Sequence, residues 1–580
     1  MFLAQTSVSV RCSFAPDMTT IRRREIPSRA VSALTAAGVS PLLARLFAAR
    51  GVHSPVELDL SFKALLPPVL LTGAREAAEL LADAIEAGAR MVIVADYDCD
   101  GATACAVGVR ALRAFGADVH YLVPDRTTLG YGLTPPMVEL AAKLDPEVLI
   151  TVDNGIASVE GIAQARAYGM STVITDHHLP GEILPDADVI VNPNQSGCGF
   201  PGKSLAGVGV MFYVMLALRA ELRERGAFES GREPNLANLL DLVALGTVAD
   251  VVKLDHNNRI LVSSGLQRIR AGNMQSGIQA LFAVAGREAA KATAFDLGFT
   301  LGPRLNAAGR IANMCLGIEC LLADDAGQAL QLARELDRLN HERREIEVEM
   351  QETARRILET FGIDDDAGLT LFDPGWHPGV IGLVANRVRE KLHRPTIAFA
   401  RGQEGELKGS GRSIPGLHLR DALELVARRA SGLLLRFGGH AMAAGLTIRE
   451  ENLPAFRAAF REVAASLLEP ADLQRRIDTD GPLDACEITL ETVRLLEREV
   501  WGQGFPPPVF DNVFHVERQR ILKDRHLKLE LSLGGTRFEA IRFNCTERVP
   551  DVIHAAYRLD VNEYKGLSNV QLMLEHFGAA

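Results

Sequence analysis

The stretch MVIVADYDCDGATACAVGVRALRAFGA (91–117) decides the fold. Its first five residues are apolar and rich in β-branched side chains, which reads as a buried strand. The strand runs into three acidic residues, Asp96, Asp98 and Asp100, and GATACAVGVRALRAFGA (101–117) then reads as a helix with small residues near its start. Working outward, DVHYLV (118–123), EVLITV (147–152), STVIT (171–175) and DVIVN (188–192) are further strands, separated by helical stretches such as TPPMVELAAKL and VEGIAQARAYG. Apolar strands alternating with helices predict a parallel sheet covered on both faces.

Downstream, 203–224 and 236–252 are apolar and helical. Residues 326–361 contain no proline and are dense in charge, which predicts one or two long exposed helices connecting domains. A second α/β unit follows at about 367–467, and GQGFPPPVF marks a boundary after it. HLKLELSL (526–533) alternates strictly, GGTRFEAIRF follows a Gly-Gly turn, and YRLDVNEYKGLSNVQLMLE looks like two strands around a turn, so the last segment predicts a small β-barrel. The expected fold class is α/β multidomain. Its divisions are an N-terminal extension and lead-in (1–45), a parallel-sheet catalytic domain (46–325), a helical connector (326–366), a smaller α/β domain (367–467), a linker (468–508) and a β-domain (509–580).

With 580 residues the chain has room for several domains, and 47% hydrophobic with 23% charged residues is ordinary globular composition. The longest apolar stretch, 239–252, is broken by Asp241 and Asp250, so no membrane span is expected. The first 17 residues lack a basic region followed by an apolar core, and Met18 is an alternative start. Eight scattered cysteines without a CxxC pair argue for a reducing cytosol and against structural zinc or disulfides. A net charge of −11 argues mildly against nucleic acid, but clustered carboxylates at a metal site would contribute to it, and only one groove need be basic.

The chemistry lies where the strands end. Strand 91–95 delivers Asp96, Asp98 and Asp100; strand 147–152 delivers Asp153 and Asn154; strand 171–175 delivers Asp176, His177 and His178. Open parallel sheets bind ligands at the carboxyl ends of their strands. Asp250, inside the apolar ALGTVADVV, is a fourth contribution. A single aspartate at a strand end is most often a turn or helix cap. Asp-x-Asp-x-Asp-Gly also resembles a calcium loop, but position 107 is Val107 and a strand precedes, which excludes an EF-hand. Gathering this many carboxylates is costly unless cations neutralise them. Oxygen and imidazole donors without thiolates suit Mn²⁺ or Mg²⁺, and a pair of such ions about 3.5–4 Å apart suits in-line attack on a phosphodiester.

Taken in order, DYDCDG (96–101), VDNG (152–155), DHH (176–178) and GTVADVV (246–252) resemble the motifs of the DHH phosphoesterase superfamily. VPDRTTLGYGLT, VNPN, KSLAGVGV, LGPRLNAAGR, WHPGVIG, LKGSGRSIPGLHLRDAL and FGGHAMAAGL extend the resemblance from about residue 20 to 578, to the bacterial single-strand-specific exonucleases of that superfamily. Two departures are small: Ala95 stands where the family usually has glycine, and Cys99 is a variation inside the first motif whose simplest role is filling space.

The resemblance implies a 5′→3′ exonuclease for single-stranded DNA that releases 5′-mononucleotides in recombination and repair. It implies Asp96 and Asp98 as ligands of one ion, Asp100, His177 and Asp250 as ligands of the other, and Asp153 as the bridge. His178 would face the scissile phosphate and Asp176 would orient the imidazoles. In the second α/β unit Ser410, Arg412 and His440 would hold a terminal 5′ phosphate, with Arg304, Asn306 and Arg310 closing the pocket and His377 lining the cleft. Isolated from the resemblance, the glycines around them read equally as tight turns. His53, His120, His256, His515 and His576 read as ordinary histidines.

The β-domain resembles an OB-fold, whose candidate strand contacts are Lys528, Arg537, Phe538, Arg542, Phe543 and Tyr564, some of which must be core. The implied partners are single-stranded DNA, a single-strand-binding protein and a RecQ-type helicase, with a monomeric, cytoplasmic, nucleoid-associated enzyme. Two other readings are a DHH phosphodiesterase acting on short oligonucleotides or cyclic dinucleotides, and a non-catalytic scaffold. Chain length and the extra β-domain disfavour the first, and the complete set of ligand types disfavours the second.

Overall fold

The computed structural model describes residues 19–124, 132–229, 232–361, 366–403, 405–564 and 566–579. The first 17 residues with Met18, the middle of VPDRTTLGYGLT and the Tyr564 side chain lie outside the described residues.

Strand β1 (Thr20–Arg23) precedes the first large sheet, which consists of β2 (Arg90–Ala95), β3 (Asp118–Leu122), β4 (Val148–Val152), β5 (Ser171–Thr175) and β6 (Val189–Val191). Its order is β3-β2-β4-β5-β6, and every pairing is parallel. Successive side chains of a strand face opposite ways. Accordingly Met91, Ile93 and Ala95 enter one core, while Val92 and Val94 join Met137, Val138 and Ile162 in another. Burial on both faces is why these strands read as continuous apolar runs rather than alternating ones.

Helix α1 (Cys99–Ala114) follows β2 and packs against α2 (Gly207–Glu224) and α3 (Leu240–Ala249) on one side of the sheet. Helix α4 (Gly302–Ile311) then leads to α5 (Ala326–Phe361), one continuous helix of 36 residues, about 54 Å long at 1.5 Å per residue. The expectation of an exposed connector is corrected here. Ala329, Ala333, Leu336, Asn340, Arg343, Glu347, Met350 and Ala354 form a buried stripe. Leu336 belongs to the core of the first unit, and Met350 and Ala354 to that of the second. The charges hid this stripe because two of its members are themselves charged: Arg343 Nη1 pairs with Glu347 Oε2 at 2.5 Å, and Glu347 also meets Arg387 at 3.0 Å.

The second unit is a sheet of β7 (Leu369–Phe372), β8 (Thr396–Arg401), β9 (Glu406–Arg412), β10 (Arg436–Gly439) and β11 (Ala443–Arg449), in the order β10-β11-β9-β8-β7. Helix α6 (Ile381–Leu392) packs on β8 and β9. Strand β12 (Arg476–Thr479) pairs in parallel with β1. Arg23 reaches Asp511 at 2.8 Å and Arg50 reaches Asp480 at 2.8 Å, so the N-terminal lead-in is fastened to the C-terminal region.

Strands β13 (Phe510–Leu522), β14 (His526–Leu533), β15 (Thr536–Arg542), β16 (Val552–Tyr564) and β17 (Leu567–Ala579) close a barrel in the order β13-β14-β15-β17-β16. Phe538 is core, whereas Phe543 is exposed with its ring edge-on to His526. Lys528 pairs with Glu539, Arg537 with Glu530, and Arg542 donates to the Leu574 carbonyl. Among the described residues no helix is long and apolar enough to cross a membrane.

Candidate metal centre

Register builds the site. Ala95 pairs with Val152 and Val152 with Thr175, so the next residues, Asp96, Asp153 and Asp176, stand side by side one step beyond the ladder. Their amides continue it, donating to the carbonyls of Val152, Thr175 and Val191 at 3.2, 2.9 and 3.1 Å. Neighbouring strands are about 4.8 Å apart, so three carboxylates necessarily share one edge.

Asp98 caps α1, its Oδ1 accepting from the amides of Asp100 at 2.9 Å and Gly101 at 3.0 Å. Asp100 sits in the first turn, fully buried, where Gly207 N donates to Oδ2 at 2.7 Å and Val208 N to Oδ1 at 2.8 Å. These are the first amides of α2, which carry the positive end of its dipole and fix the carboxylate. Asp153 holds a left-handed backbone (φ 62°), which turns its side chain toward the start of α2. Only glycine fits at 207: a Cβ there would lie 2.6 Å from both Cβ and Oδ1 of Asp153.

His177 Nε2 is 3.1 Å from Asp153 Oδ1, 3.5 Å from Asp250 Oδ2 and 3.8 Å from Asp100 Oδ2. The ligand atoms of Asp96, Asp98 and Asp153 lie within 4.8 Å of one another, as do those of Asp100, His177 and Asp250, and a third such trio is Asp153, His177 and His178. Asp176 is buried behind them. Its Oδ1 accepts from the amides of His177 (2.7 Å) and His178 (3.1 Å) and faces His178 Nδ1 at 2.8 Å, while its Oδ2 accepts from Ile156 N at 3.0 Å.

The electrostatics follow from this crowding. Burial and neighbouring carboxylates push Asp96, Asp153 and Asp250 well above the usual carboxylate range and bring Asp100 to about 7. Burial, aided by His178, pushes His177 down to about 4. Burial opposes charge on His178 too, but the bond to Asp176 and that residue's charge prevail and raise it to about 9. Burial and Asp98 push the Cys99 thiol up, so Cys99 offers no thiolate.

The residues fit hard divalent cations. Asp153 Oδ1 and His177 Nε2 are buried without a hydrogen bond, a costly state that a cation between them would relieve. The donor set is carboxylate and imidazole, the kind that suits Mn²⁺ and Mg²⁺.

Other predicted residues take varied places. Asn306 Oδ1 accepts from Cys99 N at 2.8 Å and so fixes the first motif from behind. Arg304 is buried, its Nε on Asp337 at 2.9 Å and its Nη1 on the Thr300 carbonyl at 2.6 Å, tying α4 to α5. Arg310 Nη1 donates to the Gly379 carbonyl at 3.3 Å, which joins the two α/β units. His377 Nδ1 accepts from Gly379 N at 3.1 Å. Arg412 Nη1 donates to Ser410 Oγ at 3.2 Å, and both side chains lie against the first turn of α6, where a Cβ at Gly382 would be 2.9 Å from Ser410 Oγ and 3.0 Å from Arg412 Nη2. The His440 ring stacks over that of His178, centroids 6.2 Å apart, bringing the second unit to the metal edge.

Two residues carry a role the sequence did not reveal. Asn192 Nδ2 donates to the His178 carbonyl at 2.9 Å and Asn194 Nδ2 to the His177 carbonyl at 2.6 Å. The motif VNPN was visible, but nothing in it says that its amides hold the backbone of the imidazoles.

Comparison with known proteins agrees with this geometry. The chain matches the DHH family, N-terminal domain, over residues 90–247, the DHHA1 domain over 365–466 and the RecJ OB domain over 479–576. It is 48% identical over 570 residues to the single-stranded-DNA-specific exonuclease RecJ of Escherichia coli (strain K12), covering 96% of this chain and 98% of that one. It is 51% identical over 549 residues to RecJ of Dickeya dadantii (strain 3937), covering 92% and 95%. The crystal structure of RecJ from Thermus thermophilus in complex with Mn²⁺ superposes with a TM-score of 0.81 at 30% identity, covering 98% of this chain and 80% of that one. A second structure of that protein, with Mg²⁺, gives a TM-score of 0.77. Across nearly its entire length, therefore, this chain belongs to the RecJ family of the DHH proteins.

Proposed function

We propose that this protein is a single-stranded-DNA-specific 5′→3′ exonuclease that releases 5′-mononucleotides, the single-strand-specific exonuclease activity being carried in the names of its RecJ relatives. The carrying observation is the pair of ligand trios at one sheet edge, with the otherwise unpartnered Asp153 Oδ1 between them. In this reading Asp96, Asp98 and Asp153 hold one divalent ion, and Asp100, His177 and Asp250 hold the other with Asp153 as the bridge. When bound, Mn²⁺ or Mg²⁺ supplies activation of a water and stabilisation of charge on the phosphoryl oxygens.

The chain's own groups do the positioning. His178, held protonated by Asp176, presents a positive hydrogen-bond donor toward the scissile phosphate. Asn192 and Asn194 hold the backbone that carries both imidazoles. Arg412, Ser410 and the first amides of α6 form a basic, hydroxylated helix start suited to a terminal phosphate, which is the source of 5′ polarity. His440 completes the wall opposite His178. Arg304 and Asn306 act from behind the site, through Asp337 and the Cys99 amide.

The barrel at 509–580 binds the strand beyond the cleft. A single-strand-binding protein and a RecQ-type helicase are its partners in a monomeric, cytoplasmic, nucleoid-associated role in recombination and repair. The test is digestion of a long 5′-phosphorylated single strand labelled at either end, with Mn²⁺ or Mg²⁺ supplied. Immediate release of the 5′ label as a mononucleotide, with the 3′ label lost last and a blunt duplex left intact, supports the reading. Initial loss of the 3′ label, or action on dinucleotides alone, refutes it.

A further inference from the structure

Phe295 and Phe299 are 55% and 68% exposed, and their rings stack on each other with centroids 4.8 Å apart at 21°. Leaving two phenyl rings in water forgoes the burial free energy that normally places them in a core. Paired flat faces open to solvent suit a π-surface of matching size.

Their location narrows what that surface is. Both ride on the π-helical turn Asp296–Leu301 and its lead-in, directly before α4. π-Turns are rare and concentrate at functional sites. This turn packs on the last turn of α3, since a Cβ at Gly298 would lie 3.0 Å from Val248 Cγ1 and one at Gly302 3.1 Å from Ala249 Cβ. The next residue after Ala249 is Asp250, of the metal centre. On the other side, Lys291 Nζ reaches Glu563 Oε1 on the barrel at 3.5 Å. The phenyl pair therefore lies on the segment that connects the metal edge to the barrel. At the start of the same turn the exposed Arg287 pairs with Asp296 at 3.7 Å.

We propose that Phe295 and Phe299 form a base-stacking platform that holds nucleotides of the single strand between the cleavage site and the barrel. The inference rests on the exonuclease reading above and adds to it a residue-level contact. Stacking on a phenyl face is indifferent to base identity, as a nuclease that degrades any sequence requires.

The test uses the full chain and a 5′-phosphorylated oligonucleotide carrying 2-aminopurine at successive positions, with EDTA present so that the strand is not consumed. The wild type is expected to quench the probe at a defined distance from the 5′ end. Phe295→Leu with Phe299→Leu keeps the apolar volume and removes the rings. It is expected to lose that quench and to bind at least about fivefold more weakly. Phe295→Tyr with Phe299→Tyr is expected to restore both. Thermal unfolding separates loss of stacking from loss of fold. If the leucine variant is folded and matches the wild type in quench and affinity, the platform is overturned while the exonuclease reading stands. If the wild type neither binds single strands in EDTA nor degrades them once Mg²⁺ is supplied in excess, both fall together.

Discussion

His177 Nε2 and Asp153 Oδ1 are 3.1 Å apart, buried, and neither makes a hydrogen bond. Burial keeps the imidazole neutral, and burial together with Asp100 and Asp98 raises Asp153 well above the usual carboxylate range, so ionising Asp153 here is costly until a cation enters. A cation between the two atoms would relieve that cost, and the contact ties both ligand trios to one residue, Asp153.

Replacing that residue should therefore be decisive. Asp153→Asn retains a side chain that tolerates the left-handed backbone while removing the bridging charge. The expected result is a loss on the order of 10³-fold or more in kcat, equivalent to several kcal/mol of transition-state stabilisation. Steady-state digestion of single strands alongside circular dichroism measures this, and the fold should be retained.

The amide clamp behind the imidazoles should act on metal affinity. Asn194→Ala frees the His177 carbonyl that Asn194 Nδ2 holds at 2.6 Å. Removing a group that orients a ligand typically weakens metal binding about 10–100-fold. Titration of activity with Mn²⁺ should show the midpoint rising by that factor, with most of the rate recovered at saturation.

Gly382→Ala should reach the 5′ end specifically. Its Cβ would fall 2.9 Å from Ser410 Oγ and 3.0 Å from Arg412 Nη2, so both groups must move from the start of α6. The expected outcome is a KM for 5′-phosphorylated strands raised about tenfold or more, with the advantage over 5′-hydroxyl strands lost. Competition between the two substrates measures it directly.

Metal removal should make stability pH-dependent in one direction. His178, raised to about 9, contributes stability that is complete below its unfolded value near 6.5 and lost as pH climbs through 9. Asp100, raised to about 7, likewise favours the fold only while protonated, so its contribution is gone above that pH. His177, at about 4, is already neutral across this window, and Asp176, held low against its burial by the His178 pair, stays ionised. The metal-free melting temperature should thus fall by on the order of a few degrees from pH 6.5 to 8.5, and added Mg²⁺ should raise it most at the alkaline end.

The strand ends were legible because hydrophobic runs fix a parallel sheet, and a parallel sheet fixes where Asp96, Asp153 and Asp176 emerge. The barrel was legible from strict alternation in 526–533. What stayed hidden depends on contacts between segments distant in sequence. No local pattern says that the amides of Gly207 and Val208 cradle Asp100, or that Arg304 spends its guanidinium on Asp337 of the long helix. The same holds for α5, whose buried stripe includes a self-neutralising Arg343–Glu347 pair that composition counts as surface charge.

The most direct measurement is anomalous diffraction at the manganese edge from crystals soaked in Mn²⁺. The account predicts two peaks, one among Asp96, Asp98 and Asp153 and one among Asp100, His177 and Asp250, with Asp153 touching both. Peaks elsewhere, or no ordered ion at this edge, would contradict it.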